Sequence, residues 1–570
     1  MSGAKTEKSI SEEAYQALEA VVGSKYITVN PAECQAYNGR GCYMEIYWWQ
    51  NISRRPICVV LPKTTEEVAG IIKACNLHNI PYFCGSAFGW LPISSGNLRD
   101  DFLCIDLKRM DSMAIDEKNM YTLVEPGVVY AHLQAEAMKR DLYTMVPGAG
   151  GGTSVLGNQI TAGIGSLCYR ITASSVRRMN GLEWVTPEGE IVRMGSLVNG
   201  DDNAYWRGGL GPGLVGLVKG YSAWAGSMGI VTKMALKLYP FQPERLEPDG
   251  IGGDSCVKLP PDRIRFYGIS FPTEEALQKV MREIGEAQIT SYINRVSVFW
   301  RYIAKARGSE EYRRLFWDSW GQMTREKTAT IHIARVMIIG YASPKQLEYE
   351  EKVLTDIVEE NGGKLRQAKQ TDESCFMLSN SPDVWMMTGY FASLTIGTAS
   401  LRCAIKTGDE FRRRWEEGYL DDAMDQHHEV PWYMPLDQGR QGYAETDAFS
   451  NSRKLDPQNP LFDQGIMMRS QEFQESVMPL IETTTGFPSV FSTTIGCSYT
   501  SDATRFNTPV WVERFQKEFN PHGLAAAGFP YLGDKLEEIM PGVITDEFKE
   551  TVKRVQSGNW RGQKKRPKAS

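Results

Sequence analysis

No run of apolar residues in this chain is long enough to span a bilayer. Its first residues, MSGAKTEKSISEEAYQ, are polar and acidic and lack the apolar centre of a secretory signal. The 11 cysteines are scattered without a CxxC pair, which argues against a zinc ribbon or iron–sulfur ligation. That odd count without a signal leads to the expectation of reduced thiols in the cytoplasm, with export beside a signal-bearing partner as the alternative. A formal net charge of −6 offers no basic surface to nucleic acid, and the basic tail from Arg561 to Lys568 is too short to reverse it. There is no solenoid repeat and no low-complexity tract. His427-His428-Glu429 stands out, but neighbouring residues on a helix point about 100° apart, so no metal site is expected there.

What is present is ordinary globular composition, 42% hydrophobic and 23% charged over 570 residues, enough for several domains. The most informative stretch is PGAGGGTSVLGN, Pro147 to Asn158, a glycine-rich turn with small hydroxyl residues. Successive N–H groups in such a turn form a concavity suited to a pyrophosphate, although a structural turn accounts for it equally. Upstream, ICVVLP reads as a short strand closed by Pro62, and Thr64 or Thr65 caps a helix with apolar positions Val68, Ile71, Ile72 and Ala74. Ile80, Tyr82 and Phe83 then lead into a first glycine loop, Gly85-Ser86-Ala87-Phe88-Gly89-Trp90. FLCIDLKRM reads as a strand, and YTLVEPGVVYAHLQAEAMKR as a strand, a Pro126-Gly127 turn and a helix. GLEWVTPEGEIVRMG reads as a hairpin turning at Pro187-Glu188-Gly189, and Gly226-Ser227-Met228-Gly229-Ile230-Val231-Thr232 ends the region.

This order resembles the FAD-binding domain of the vanillyl-alcohol oxidase and p-cresol methylhydroxylase (PCMH) superfamily, over roughly Arg55 to Pro240. VLGNQITAGIG and SMGIVTKMALKLYP look closest to its phenol-oxidising branch, which includes vanillyl-alcohol oxidase and 4-cresol dehydrogenase. The resemblance implies an α+β fold: a PCMH-type FAD-binding domain, an α/β cap over the flavin, and a C-terminal segment returning to the first domain. The expected boundaries are 1–54 for an N-terminal lead, its aromatic patch Tyr43 to Trp49 packed on the flavin domain, and 55–242 for the FAD domain. A Gly/Pro-rich linker follows at 246–262, then a cap at 263–499 and the closing segment at 500–570.

The resemblance also implies where FAD sits. The loop Gly85, Ser86, Ala87, Phe88, Gly89 and Trp90 would hold the pyrophosphate with Pro147, Gly148, Gly150, Gly151, Gly152, Thr153, Ser154, Leu156, Gly157 and Asn158. Pro126 and Gly127 would turn near the adenosine, and Gly163, Gly165, Gly229, Ile230 and Val231 would line the cofactor. Two departures stand out. The local sequence Asp437-Gln438-Gly439-Arg440-Gln441-Gly442-Tyr443 lacks the histidine that tethers flavin in many relatives, so Tyr443 is a candidate 8α-O-tyrosyl link, with a packed or surface tyrosine as the alternative. Trp90 stands about where phenol-oxidising relatives place a tyrosine, and Gly148 where they place an aspartate.

The expected activity is hydride transfer from a phenolic or benzylic alcohol or an alkylphenol to flavin N5, with Tyr443, Arg440 and Trp90 as catalytic candidates and Asp437 and Glu445 as further polar groups. Electrons would pass to oxygen or to a cytochrome-like protein partner, and the relatives imply a homo-oligomer. Two alternatives are an FAD-dependent 2-hydroxy-acid dehydrogenase, which would want an Arg and a His near the flavin, and a non-catalytic flavin-binding subunit.

Overall fold

The computed structural model describes residues 9–37, 55–86, 101–145, 152–161, 178–199, 213–218, 226–241, 259–295, 332–367, 391–399, 432–436, 441–449 and 508–526, with 170, 311, 314, 439 and 460. The aromatic patch Tyr43 to Trp49 and the pair His427-His428 lie outside them.

The first layer is a four-stranded sheet in the order β1-β2-β4-β3, with β1 Ile27–Thr28, β2 Cys58–Val60, β3 Tyr82–Gly85 and β4 Leu103–Asp106. β2, β3 and β4 are parallel, and β2 and β4 are buried throughout, so they read as unbroken apolar runs. Helices α1 (Glu12–Val22) and α3 (Thr65–His78) cover one face with Leu18, Val22, Ile71 and Ile72. The short helix α2 (Pro31–Gln35) contributes Cys34 to a cluster with Val59 and Phe83. Each such fully buried side chain contributes roughly 1.5–3 kcal/mol. The N-terminal residues are thus woven in, since β1 runs antiparallel to β2 with Ile27 opposite Val60. The C-terminal segment joins the same sheet: Tyr82 N donates to Leu524 O at 3.0 Å, and Ala526 N to Tyr82 O at 2.9 Å.

The second layer is an antiparallel sheet in the order β5-β6-β10-β8-β9: Met113–Asp116, Tyr121–Val124, Ile230–Lys237, Met179–Val185 and Ile191–Gly195. The expected hairpin is β8 and β9, with Gly189 at φ +81° in its turn. Helix α4 (Tyr130–Met138) packs here, followed by β7 (Leu142–Tyr143), which pairs with β11 (Tyr239–Pro240).

Glu183, on β8, is 3% exposed and joins the two layers. It accepts from Thr65 Oγ1 at 2.7 Å and from Arg193 Nε at 2.9 Å. Of the two candidate caps, Thr64 is the N-cap, accepting Glu67 N at 3.1 Å, which leaves the Thr65 hydroxyl for Glu183. Its neighbour Trp184 donates from Nε1 to Met228 O at 2.7 Å and lies 5.6 Å, centroid to centroid, from Phe519 of helix α8 (Thr508–Phe519). This approach requires Gly229, whose φ is +92° and whose Cβ would lie 2.2 Å from Val185 O.

The third layer is a seven-stranded sheet, β15-β12-β14-β13-β17-β18-β16. Its strands are β12 (Ile264–Phe271), β13 (Tyr292–Arg295), β14 (His332–Ile339), β15 (Lys364–Gln367), β16 (Phe391–Ala399), β17 (Trp432–Leu436) and β18 (Gln441–Phe449). Helices α6 (Glu274–Ala287) and α7 (Pro344–Glu360) begin at Thr273 and Ser343, whose hydroxyls accept Ala276 N and Gln346 N. On one face, Tyr267 donates to Glu351 of α7 at 2.7 Å. On the other, Ile264, Phe266, Tyr292, Met337 and Ile339 share a core with Val124, Leu133 and Trp184 of the second layer. The junction is closed by Tyr341 stacked 5.6 Å from Tyr143, and by Arg170 Nη2 paired with Glu350 at 2.5 Å.

Burial alone would raise the Glu183 carboxyl, but hydrogen bonds from Thr65 and Arg193 and the nearby Lys233 and Arg193 charges hold it below the usual value. A carboxyl lowered in the folded state adds stability above its unfolded pKa, about 4.3, and loses it as pH falls through the folded value. Glu183→Gln is therefore expected to cost about 1–3 kcal/mol in urea melts at pH 7, with the gap to wild type closing as pH drops below 4. A gap that does not change with pH would refute the charge's role.

Candidate flavin site

Two glycine segments far apart in sequence meet in space. Gly85 and Ser86 lie at the C-terminal end of parallel strand β3, where open α/β sheets present their ligand sites. Gly157 lies opposite: a Cβ there would sit 2.9 Å from Ser86 Oγ and 3.3 Å from Ser154 Cβ. Ser154, 3% exposed, anchors the second segment by donating from Oγ to Pro126 O at 2.6 Å and accepting Gly157 N at 3.0 Å. Thr153 O accepts Tyr130 N at 3.1 Å, and Val155 N donates to Val128 O at 2.9 Å. The Pro126-Gly127 turn is thereby fixed against the second glycine segment. Gly127 N donates to Met110 O at 2.7 Å, so this glycine serves a close approach of the chain to itself.

Part of the expected loop is helical. Val155–Thr161 forms helix α5, which contains Leu156, Gly157 and Asn158, and Leu156 is a core residue at 3% exposure. Ile230 and Val231 are also committed to packing, the first in the core of the first layer and the second in that of the second. Gly152 differs: a Cβ there would meet nothing within 4 Å. Backbone free of side chains, the hydroxyl of Ser86 and this open space fit a cofactor pyrophosphate. Cys84 lies beside the site, but burial pushes its thiol up to about 12, so it is an inert neighbour and not a nucleophile.

The expected residues Ala87, Phe88, Gly89, Trp90, Pro147, Gly148, Gly150, Gly151, Gly163, Gly165, Arg440 and Asp437 lie outside the described residues. Tyr443 and Glu445 are placed by backbone register. Tyr443 pairs with Met434 and Glu445 with Trp432, while Tyr433 pairs with Arg295. Arg295 and Tyr433 belong to the helix-covered face, where both bond to Glu274 of α6. Residues alternate between faces along a strand, so positions 443 and 445 share the opposite face, the one that turns toward the FAD domain.

On the covered face, Glu274 accepts from Arg295 Nε at 3.1 Å and from Tyr433 OH at 2.6 Å, and contacts His332 Nδ1. Burial would raise this carboxyl, but Arg295 above all, then His332 and Tyr433, keep it lowered. This Arg-Glu-His group has the ingredients of an acid–base site, but it lies beneath α6 and away from the FAD domain.

Residues 56–195 match the family model described as FAD binding domain. Over 243 residues the chain is 28% identical to the 4-cresol dehydrogenase [hydroxylating] flavoprotein subunit of Pseudomonas putida, covering 40% of this chain and 43% of that protein. It is 31% identical over 195 residues to a D-lactate dehydrogenase of Anaerostipes hadrus, covering 33% and 37%. The match thus spans less than half the length of these relatives. The crystal structure of p-cresol methylhydroxylase with substrate bound superposes with a TM-score of 0.67 at 16% identity, over 91% of this chain and 96% of that one. Residues 56–195 are thus an FAD binding domain, and the chain has the fold of p-cresol methylhydroxylase. Its cofactor is FAD.

Gly157→Val is expected to push the end of β3 away from α5. FAD retention, read as the flavin-to-protein absorbance ratio after gel filtration, should fall severalfold while thermal stability drops by about 1–3 kcal/mol. Undiminished flavin in the variant would place the cofactor elsewhere.

Proposed function

We propose that this chain is an FAD-dependent oxidoreductase that removes a hydride from an aromatic alcohol or alkylphenol. The observation that carries the reading is the register of β17 and β18, which puts position 443 on the cap face turned toward the FAD domain. Bound FAD supplies a hydride acceptor at N5. The protein's part is to hold the substrate carbon against that acceptor and keep water out under the cap sheet. We assign the pyrophosphate to the Ser86 and Gly152–Gly157 segments, and the substrate side to Tyr443, Arg440 and Trp90. Tyr443 is the residue we assign to a covalent flavin link. The name of the Pseudomonas putida relative, a flavoprotein subunit, supports an electron-accepting protein partner, with oxygen as the other acceptor.

The 2-hydroxy-acid reading draws support from the Anaerostipes hadrus relative. It requires an arginine and a histidine beside the flavin, and Arg295 and His332 cluster on the far face of the cap sheet. We therefore rank it second.

Purified protein is expected to be yellow and to lose its flavin absorbance anaerobically with 4-hydroxybenzyl alcohol but not with D-lactate. The reverse pattern would overturn the substrate class. After acid precipitation, colour should stay in the pellet for wild type and pass to the supernatant for Tyr443→Phe. Colour retained by the variant's pellet would remove Tyr443 as the link.

A further inference from the structure

Glu183, Glu274 and Glu350 are buried to a similar degree, at 3%, 4% and 5% exposure, but donors serve them unequally. Glu183 accepts from Thr65 and Arg193, and Glu274 from Arg295 and Tyr433. Glu350, on α7, has Gln346 Nε2 donating to its Oε1 at 2.9 Å, while its Oε2 has no hydrogen-bond partner. Arg170 Nη2 lies 2.5 Å from Oε1 as an ion pair, yet neither Nη2 nor Nε of that guanidinium makes an aligned hydrogen bond. A carboxylate removed from water is stable only when its oxygens find donors, so one oxygen of Glu350 carries an uncompensated desolvation cost.

The pair spans the junction of the FAD domain with the cap. Arg170 falls within residues 56–195, and its guanidinium lies 5.7 Å from the centre of the Tyr341 ring. Tyr341 precedes α7, stacks on Tyr143 of β7 and donates to its hydroxyl at 2.9 Å. The charged and titratable groups on the elements packed against α7 have partners or positions elsewhere. Arg265 and Tyr267 of β12 bond Glu351, and Lys279 of α6 bonds Asn361 and pairs with Glu283. Arg263 bonds the carbonyls of Gly340 and Tyr341, Lys364 and Arg366 of β15 are exposed, and position 335 of β14 is on the opposite face of the sheet. Arg170 is the charge that faces Glu350.

We propose that Glu350 is a proton-operated seat for the cap: the junction with the FAD domain holds more firmly when this carboxyl carries a proton. A proton on Oε2 removes the uncompensated charge, while Oε1 keeps its Gln346 bond and its Arg170 contact as a carbonyl oxygen. Burial acts in the same direction, pushing this carboxyl above its usual value although Arg170 and Gln346 oppose it. Glu183 and Glu274, with their fuller sets of donors, are held below theirs. When the junction opens, Glu350 meets water and returns to its ordinary value, about 4.3, so the closed junction binds the proton more tightly. The closed form therefore gains as pH falls through the raised value, the reverse of Glu183, whose contribution is lost in acid.

The test follows hydrogen–deuterium exchange of FAD-loaded protein from pH 8 to pH 4.5, corrected for the intrinsic pH dependence of amide exchange. In wild type, protection of the segment from Tyr341 to Glu350 is expected to be at least twofold greater at pH 4.5 than at pH 8, one proton allowing at most tenfold per pH unit. Protection of α1 in the first layer should not follow it. Glu350→Gln, neutral at every pH, should have at pH 8 at least the protection that wild type reaches at pH 4.5, and should lose the pH dependence. Arg170→Met should lower protection at pH 8 and steepen the pH dependence. Wild-type protection that stays constant or falls on acidification would overturn the proposal. So would lower protection in Glu350→Gln than in wild type at pH 8, since the ionised pair would then be what holds the junction. A pH dependence that persists in Glu350→Gln, or that α1 shares, would overturn it by placing the responsible proton elsewhere.

Discussion

The joint made by β8 is the constraint on which the meeting of the two glycine segments depends. Segments carried by a parallel sheet and by the antiparallel layer beside it stay together only if the two layers keep a fixed separation. Glu183 ties the start of α3 to the second sheet, and Trp184 ties that sheet to the Gly226–Gly229 turn and to the C-terminal helix. Both sit on one strand, with side chains pointing to opposite faces. A single strand thus fixes the spacing in two directions. Its carboxylate is buried yet stays ionised because hydroxyl and guanidinium donors replace water around it.

Most of the scaffold was legible in the sequence because it rests on local signals. The strands, the capped helix at Thr64, the hairpin at Gly189 and the glycine segments follow from periodicity, capping residues and turn chemistry. The helix at Val155–Thr161 was not, because Gly157 and three β-branched residues make its sequence a poor helix former, and its fixing comes from Ser154 gripping Pro126. Glu183 was visible only as part of a motif. Its partner Thr65 lies far upstream, and nothing local marks the pairing.

The cap shows the same limit more sharply. Alternation along β14 separates Arg335 from His332 by face, but the sequence does not say which face meets the FAD domain. That depends on the register of four further strands and on where α6 packs. A reader of the sequence would notice the histidine first, as the rarer residue. The structure instead sets it against Glu274 beneath a helix and puts position 335 on the face that meets the second layer. An arginine inside a mostly apolar strand was the available signal, and it carries information only when the opposite strand is known.

The two faces of this sheet are closed to different degrees. The covered face is closed by a fully bonded carboxylate at Glu274 and by the Tyr267–Glu351 contact, so it holds α6 and α7 in place whatever happens on the other side. The FAD-facing side packs tightly only where Phe266, Tyr292 and Met337 meet the second layer. Beyond them, at Gly268 and the Asn294 amide, packing and hydrogen bonding are left incomplete. The sheet is thus held firmly from the helix side and more loosely at these two positions on the other.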